Sequence, residues 1–183
     1  MYKVIALMGE AGSGKDFILR EVLKACPNFH KIINCTTRPK RENEIEGVNY
    51  FYLSNEEFAN KIIDMTMIEA AEFNNWFYGT SIEALQEKTI NIGVFNPTGL
   101  EILLDRSDIQ LIIYRIKTSD KERLLRQLNR EENPDVKEII RRFNTDSADF
   151  SIIDFSYIEI ENNTIEDLRR AVQQIAETSF ENA

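Results

Sequence analysis

Apolar positions repeat with two different periods along the chain. Tyr2–Met8 (YKVIALM) is a short, nearly unbroken apolar run closed by Gly9, the pattern of a buried parallel strand. Lys15–Ala25 follows with Ile18, Leu19, Val22 and Leu23 on one stripe, which predicts a helix. Further strands are predicted at Lys31–Asn34, Ile90–Phe95, Gln110–Lys117 and Ser156–Glu161. Val136, Ile139, Ile140 and Phe143 share one helical face, and Ile165, Leu168, Val172 and Ile175 make the last helix amphipathic. Ser54 with Glu57, Thr98 with Glu101, and Ser119 with Glu122 have capping-box spacing. Asn133 before Pro134 predicts an N-cap with proline at the first helical position. Strands alternating with helices predict an α/β fold whose parallel sheet is covered on both faces.

One stretch breaks this alternation. From Cys35 to Ser81 the apolar runs are short and aromatic (Val48–Leu53, Met67–Phe73, Trp76–Thr80), with one helix pattern among them. This predicts a small, mainly antiparallel insertion without linkers.

Composition narrows the possibilities. The 183 residues suffice for one domain with a real core, and with 43% hydrophobic and 29% charged residues the balance is that of a globular chain. Disorder is expected only around Phe180 to Ala183. The formal charge of -9 disfavours binding to nucleic-acid backbones. Cys26 and Cys35 have no metal-ligand spacing and are too few for a disulfide framework. Val4 to Met8 is too short for a membrane span or a signal-peptide core, so a cytoplasmic setting is expected. His30, the only histidine, lies in a turn-like stretch and is expected to face solvent.

The candidate chemistry begins at Gly9-Glu10-Ala11-Gly12-Ser13-Gly14-Lys15-Asp16, which fits G-x-x-x-x-G-K between a strand and a helix. Small residues let consecutive backbone N–H groups wrap a polyphosphate, the helix N-terminus adds partial positive charge, and Lys15 adds a full one. Asp16 stands where a hydroxyl usually meets Mg²⁺. A carboxylate can serve the same hard cation, or it can merely cap the helix. In the insertion, Arg38 and Arg41 lie three apart beside Pro39, and Tyr50 and Tyr78 supply phenolic hydroxyls, a set suited to a phosphate monoester. Glu69, a carboxylate in an apolar strand, needs donors if it faces inward, and the N1–H and exocyclic amine of guanine are two. Arg123, Arg126 and Arg130 share a helical face, and Arg141 and Arg142 follow on the next helix. Such arginines are either a solvated stripe or, beside a phosphate loop, a lid that neutralises charge in transfer.

TTRPKRENEIEGVNYFY resembles the TTR-x-x-R-x-x-E-x-x-G-x-x-Y-x-F signature of the guanylate kinase family, and EAAEFNNWFYGTS resembles its second acceptor-site element. The resemblance runs from the phosphate loop to IENNTIEDL. It implies a three-layer P-loop fold: core 1–34, 83–125 and 147–183, a nucleoside-monophosphate subdomain over 35–82, and an arginine lid over 126–146. It implies that Arg38, Arg41, Tyr50 and Tyr78 hold the acceptor phosphate, that Glu44 orients the arginines, and that Glu69 and Thr80 contact the base. Arg126, Arg130 and Arg142 would act with Lys15 in catalysis, and Asn162 would lie near the adenine of ATP.

The sequence departs from the family at four positions. Val94 and Asn96 stand where a strand normally ends in D-x-D, Asn34 replaces a base-reading serine, and Asp16 replaces the loop hydroxyl. A carboxylate lost at Val94 and one gained at Asp16 suggest that the metal's charge has moved. The expectation is a Mg²⁺-dependent kinase passing the γ-phosphoryl of ATP to GMP, dGMP or a related monophosphate, as a monomer or homodimer with no nucleic-acid or membrane partner. The alternative is a guanylate-kinase-like nucleotide-sensing or interaction module of impaired activity.

Overall fold

The structure is a computed structural model that describes residues 1–73, 75–130 and 132–180. Residues 181–183, where disorder was expected together with Phe180, lie outside the described residues. The elements in chain order are β1 (Tyr2–Met8), α1 (Lys15–Ala25), β2 (His30–Lys31), β3 (Cys35–Thr36), β4 (Phe51–Tyr52), α2 (Asn55–Ile63), β5 (Met67–Phe73), β6 (Trp76–Ser81), β7 (Ile90–Val94), α3 (Pro97–Leu104), β8 (Ile109–Lys117), α4 (Asp120–Leu128), α5 (Val136–Asp149), β9 (Ile158–Glu161) and α6 (Ile165–Ala176). A 3₁₀ turn at Ile82–Ala84 follows β6. This is a mixed α/β fold with a parallel core sheet. No helix among the described residues is long and apolar enough to cross a membrane.

The chain divides into two compact units, Met1–Ala6 with Asn28–Leu111, and Leu7–Pro27 with Ile112–Ala183. In the first, β2 pairs parallel with β7, His30 opposite Asn91 and Lys31 opposite Ile92, and β7 neighbours β1. The predicted insertion forms a four-stranded sheet of order β4-β3-β6-β5, antiparallel at β3–β6 and β5–β6 and parallel at β3–β4. Helix α2 starts at Ser54, whose side chain takes the Glu57 N–H while Glu57 reaches back to the Ser54 N–H, the predicted capping box. Its Phe58 is buried and stacks on Phe77. His30 is half-buried in β2, its Nε2 3.1 Å from the Ala84 carbonyl oxygen, and does not face open solvent.

In the second unit β8 and β9 pair parallel, Tyr114 opposite Ile158 through Lys117 opposite Glu161. Helix α1 packs on α6, burying Ile18, Leu19 and Val22 of one and Ala171 and Ile175 of the other. A reciprocal capping box between Thr164 and Asp167 starts α6.

Two predicted caps are corrected. Helix α3 is capped by Asn96, not Thr98, because Pro97 occupies the first helical position and Asn96 Oδ1 accepts the Gly99 N–H at 2.7 Å. Helix α5 starts after Asp135, which accepts the Glu138 N–H, so Asn133 and Pro134 stay in the preceding loop. Ser119 caps α4 by accepting the Glu122 N–H.

Candidate active site

The second unit holds the glycine loop. Helix α1 has no side-chain cap: Gly14 is the N-cap residue at φ 90° and offers no side-chain acceptor to the first N–H groups of α1. Two glycines here are obligatory. A Cβ on Gly12 (φ 82°) would stand 2.5 Å from the Arg123 carbonyl oxygen, and one on Gly14 2.5 Å from Asn162 Nδ2. Lys15 is half-buried at the start of α1, and Asp16 is exposed in the same turn. Glu10 is tied by Arg115, whose Nη2 donates to its Oε1 at 3.0 Å, and Ser13 is fully buried.

Helices α4 and α5 both reach this loop. Arg123 is buried, donating from Nε to the Ala11 carbonyl at 3.1 Å, while Asp146 Oδ2 accepts the Ala11 N–H at 2.5 Å. The two side chains face each other at 3.7 Å, and Arg123 lies 4.4 Å over the Phe143 ring. One residue of the loop, Ala11, is therefore gripped at both its backbone polar atoms by an ion pair. Arg126 donates to the Ser13 carbonyl at 3.2 Å and to the Asn162 carbonyl at 2.8 Å. Asn162, expected near a base, donates Nδ2 to the Ser13 carbonyl at 2.7 Å. Beside Gly14 lies a cavity of about 310 Å³ lined by Phe17, Arg126, Asn162, Thr164, Ile165 and Leu168.

The expected arginine face is split by these contacts. Arg123 is in the interior, Arg126 is on the loop, and Arg130 is exposed just past α4. Arg142 shares Glu138 with Arg141 on their own helix, Nε to Oε1 at 2.5 Å and Nε to Oε2 at 2.7 Å. The Arg141 hydrogen bonds, against partial burial and with help from Arg142, hold the Glu138 carboxyl at about 2.

The first unit holds the acceptor-type residues. Arg38 is buried and donates from Nη2 to both oxygens of Glu44, at 2.8 and 2.9 Å, and from Nη1 to the Pro39 carbonyl. Glu44 also accepts the Arg41 N–H at 2.9 Å and the Tyr52 hydroxyl at 2.8 Å. Burial pushes Glu44 up, but those donors and the Arg38 charge outweigh it and hold its carboxyl below the usual range. Burial opposes the Arg38 charge too, yet Glu44, with Tyr78 and Tyr50, leaves it above the ordinary arginine value. Tyr50 meets Tyr52 and Tyr78 edge-on at 5.9 and 6.0 Å, and the Arg38 guanidinium lies 5.6 Å from the Tyr50 ring. Arg38, Arg41, Glu44, Tyr50 and Tyr78 are thus brought together. Tyr52 was missed, although its two-residue spacing from Tyr50 was a visible hint of a shared strand face.

Glu69 and Thr80 also meet, Thr80 Oγ1 donating to Glu69 Oε1 at 2.6 Å with both residues buried. A bulge between Met67 and Glu69 lets Ile68 and Glu69 both point inward, which strict alternation forbids. Burial pushes the Glu69 carboxyl up to about 7 against the lowering effect of the Thr80 hydrogen bond. Gly99 is required beside it, because a Cβ there would stand 2.6 Å from Glu69 Oε2. Asn34 is buried and donates Nδ2 to the Val94 carbonyl at 2.8 Å. Asn96 spends its Oδ1 on capping α3.

A sequence model of the guanylate kinase family matches residues 1–179. The chain belongs to the guanylate kinase family. The guanylate kinase of Prochlorococcus marinus is 26% identical over 183 aligned positions, covering 96% of this chain and 97% of that protein. Shorter stretches are closer: 37% identity over 84 residues with the Helicobacter hepaticus guanylate kinase, and 36% over 91 with that of Thermotoga maritima. Those matches span only 42% and 44% of the relatives' own lengths. Among solved structures, the guanylate kinase from Anaplasma phagocytophilum shares the fold, with a TM-score of 0.73 at 21% identity over 96% of this chain and 83% of that one.

Proposed function

We propose that this guanylate kinase family member transfers the γ-phosphoryl group of ATP to a guanine nucleoside monophosphate. The observation that carries the acceptor half is Glu69, a buried carboxylate with Thr80 as its hydrogen-bond donor among the described residues. Ionised, it calls for further donors in a dry site, and guanine supplies N1–H and the 2-amino group. Arg38, preset by Glu44, with Arg41, Tyr50 and Tyr78, grips the acceptor phosphate through charge-assisted hydrogen bonds.

On the donor side, the N–H groups at the start of α1 and the Lys15 ammonium bind the ATP phosphates. Arg126 closes over the loop, and the cavity beside Gly14 takes the base. Arg130 and Arg142 supply further positive charge when the phosphoryl group moves, Arg142 by exchanging Glu138 for phosphate. Catalysis is positioning and charge stabilisation, without a covalent enzyme intermediate.

Asp16 fits Mg²⁺: it is an exposed hard-oxygen ligand one residue from Lys15, and Mg²⁺ takes one or two carboxylates with substrate phosphates and water. Bound there, the ion neutralises phosphate charge. The deciding experiment is ADP release with eight ribo- and deoxy-monophosphates, with and without Mg²⁺. Turnover of GMP or dGMP is expected; none on any of the eight would overturn the proposal.

A further inference from the structure

A carboxylate lies inside the loop that is to take a polyphosphate, and a partly buried arginine answers it. Arg115 stands in an apolar run of β8 (LIIYRI). Its Nη2 donates to Glu10 Oε1 at 3.0 Å and its Nη1 to the Tyr157 hydroxyl at 3.1 Å. The guanidinium carbon lies 5.3 Å from the centre of the Phe150 ring and 5.6 Å from that of Tyr157. Burial works against the Arg115 charge, but Tyr157 and Glu10 outweigh it and leave the group above the ordinary arginine value. Glu10 is fixed as well. Its carbonyl accepts the Ser13 N–H at 3.1 Å, and a Cβ on the preceding Gly9 would stand 2.6 Å from the Ile116 carbonyl oxygen, so the loop begins hard against β8.

Stability alone is a poor account of this pair. Glu10 Oε2 and Arg115 Nε are both buried with no hydrogen-bond partner among the described residues. A buried ion pair so incompletely satisfied adds little over apolar side chains of the same volume. Charge accounts for it better. Between Gly9 and Asp16 the sequence carries Glu10, Lys15 and Asp16, two carboxylates against one ammonium. The Arg115 and Glu10 side chains are only 15% and 12% exposed, so solvent screens them weakly and a bare Glu10 would repel an incoming polyphosphate. We propose that Arg115 is a positioning residue for the donor nucleotide, acting through Glu10: it holds that carboxylate in place and cancels its charge, so that Lys15 and the loop N–H groups meet the phosphates without its opposition. Phe150 and Tyr157, which follow α5, keep the guanidinium where it is needed. The proposal rests on the donor half of the kinase reading above.

The test is a charge series, read by calorimetric binding of inorganic tripolyphosphate and of ATP, and by KM for ATP and for GMP. Arg115→Met leaves the pair with a net negative charge, Glu10→Gln with a net positive one, and the double variant with none. Arg115→Met is expected to weaken tripolyphosphate binding and raise KM for ATP by about tenfold, with KM for GMP within about twofold of the wild type. Glu10→Gln breaks the ion pair yet is expected to tighten tripolyphosphate by about threefold, and the double variant to return to within about twofold of the wild type. A merely structural brace would instead weaken binding in all three. Unchanged or weaker binding in Glu10→Gln, or a double variant as weak as Arg115→Met, would overturn the proposal; if Arg115→Met does not fold, Glu10→Gln decides alone. The expected series in a protein that turns over no monophosphate would support the proposal while sinking the kinase reading. No binding of tripolyphosphate or ATP by the wild type would sink both.

Discussion

Glu69 gives the most exacting test, because its burial ties stability to recognition. The substitution is Glu69→Gln, which keeps the shape and the oxygen that Thr80 reaches but removes the charge. In the wild type the carboxyl rises from an ordinary 4.5 to about 7 on folding, chiefly through burial. Below pH 4.5 the group is protonated in both states and contributes no difference. From there to about pH 7 the folded chain holds a proton that the unfolded chain has released, so stability falls as pH rises. Above pH 7 the loss is complete. The distance from 4.5 to about 7, at about 1.4 kcal/mol per pH unit, amounts to roughly 3 kcal/mol. Urea unfolding of both proteins at about pH 5 and about pH 8 isolates this contribution from that of other carboxylates. Glu69→Gln is expected to be more stable by roughly 1–3 kcal/mol at the higher pH, with the gap shrinking at the lower one. Its kcat/KM for GMP is expected to drop on the order of 100-fold, since an amide donor now meets N1–H. A stability gap that is the same at both pH values would refute the reasoning.

Three further substitutions probe the rest of the site. Glu44→Ala leaves the buried Arg38 charge uncompensated, and chemical denaturation is expected to show a loss of about 3 kcal/mol with a raised KM for the acceptor. Asp146→Ala strands Arg123 in the same way and frees the Ala11 N–H; a similar destabilisation is expected, and an unchanged melting temperature would show the pair to be idle. Asp16→Ala is expected to weaken the Mg²⁺ dependence of turnover, read by titrating the metal at fixed ATP, while Asp16→Ser restores it; full activity in Asp16→Ala would remove the carboxylate from the metal's account.

How far the site was legible depended on the sequence distance over which each part is built. The glycine loop is local, so Gly9 to Lys15 could be recognised from spacing, and the α1 stripe that follows it is an ordinary 3.6-residue period. The Ser54 box was legible for the same reason. Asn96 and Thr98 both offered a plausible cap, and the deciding fact was the fixed backbone angle of Pro97, which suits the first helical turn. Asn133 lost to Asp135 because both have cap chemistry and only the fold chooses between them. The inward turn of Glu69 rests on a bulge that no alternation rule announces. Arginines were the least legible: Arg123 and Arg126 share a predicted face, yet one answers a buried Asp146 and the other the carbonyls of Ser13 and Asn162. Partners so distant leave no local signature.

The grip on Ala11 has a consequence for the order in which the glycine loop is secured. The hydrogen bond from Ala11 to Asp146 spans 135 positions, and that from Asn162 to the Ser13 carbonyl spans 149. During synthesis the loop leaves the ribosome long before Asp146 and Asn162, two of the groups that hold it. A nascent chain halted before α5 carries the whole glycine motif and the α4 arginines Arg123 and Arg126, but neither Asp146 nor Asn162. The loop is thus fully held only once α5 and the stretch after β9 have emerged and folded back onto it.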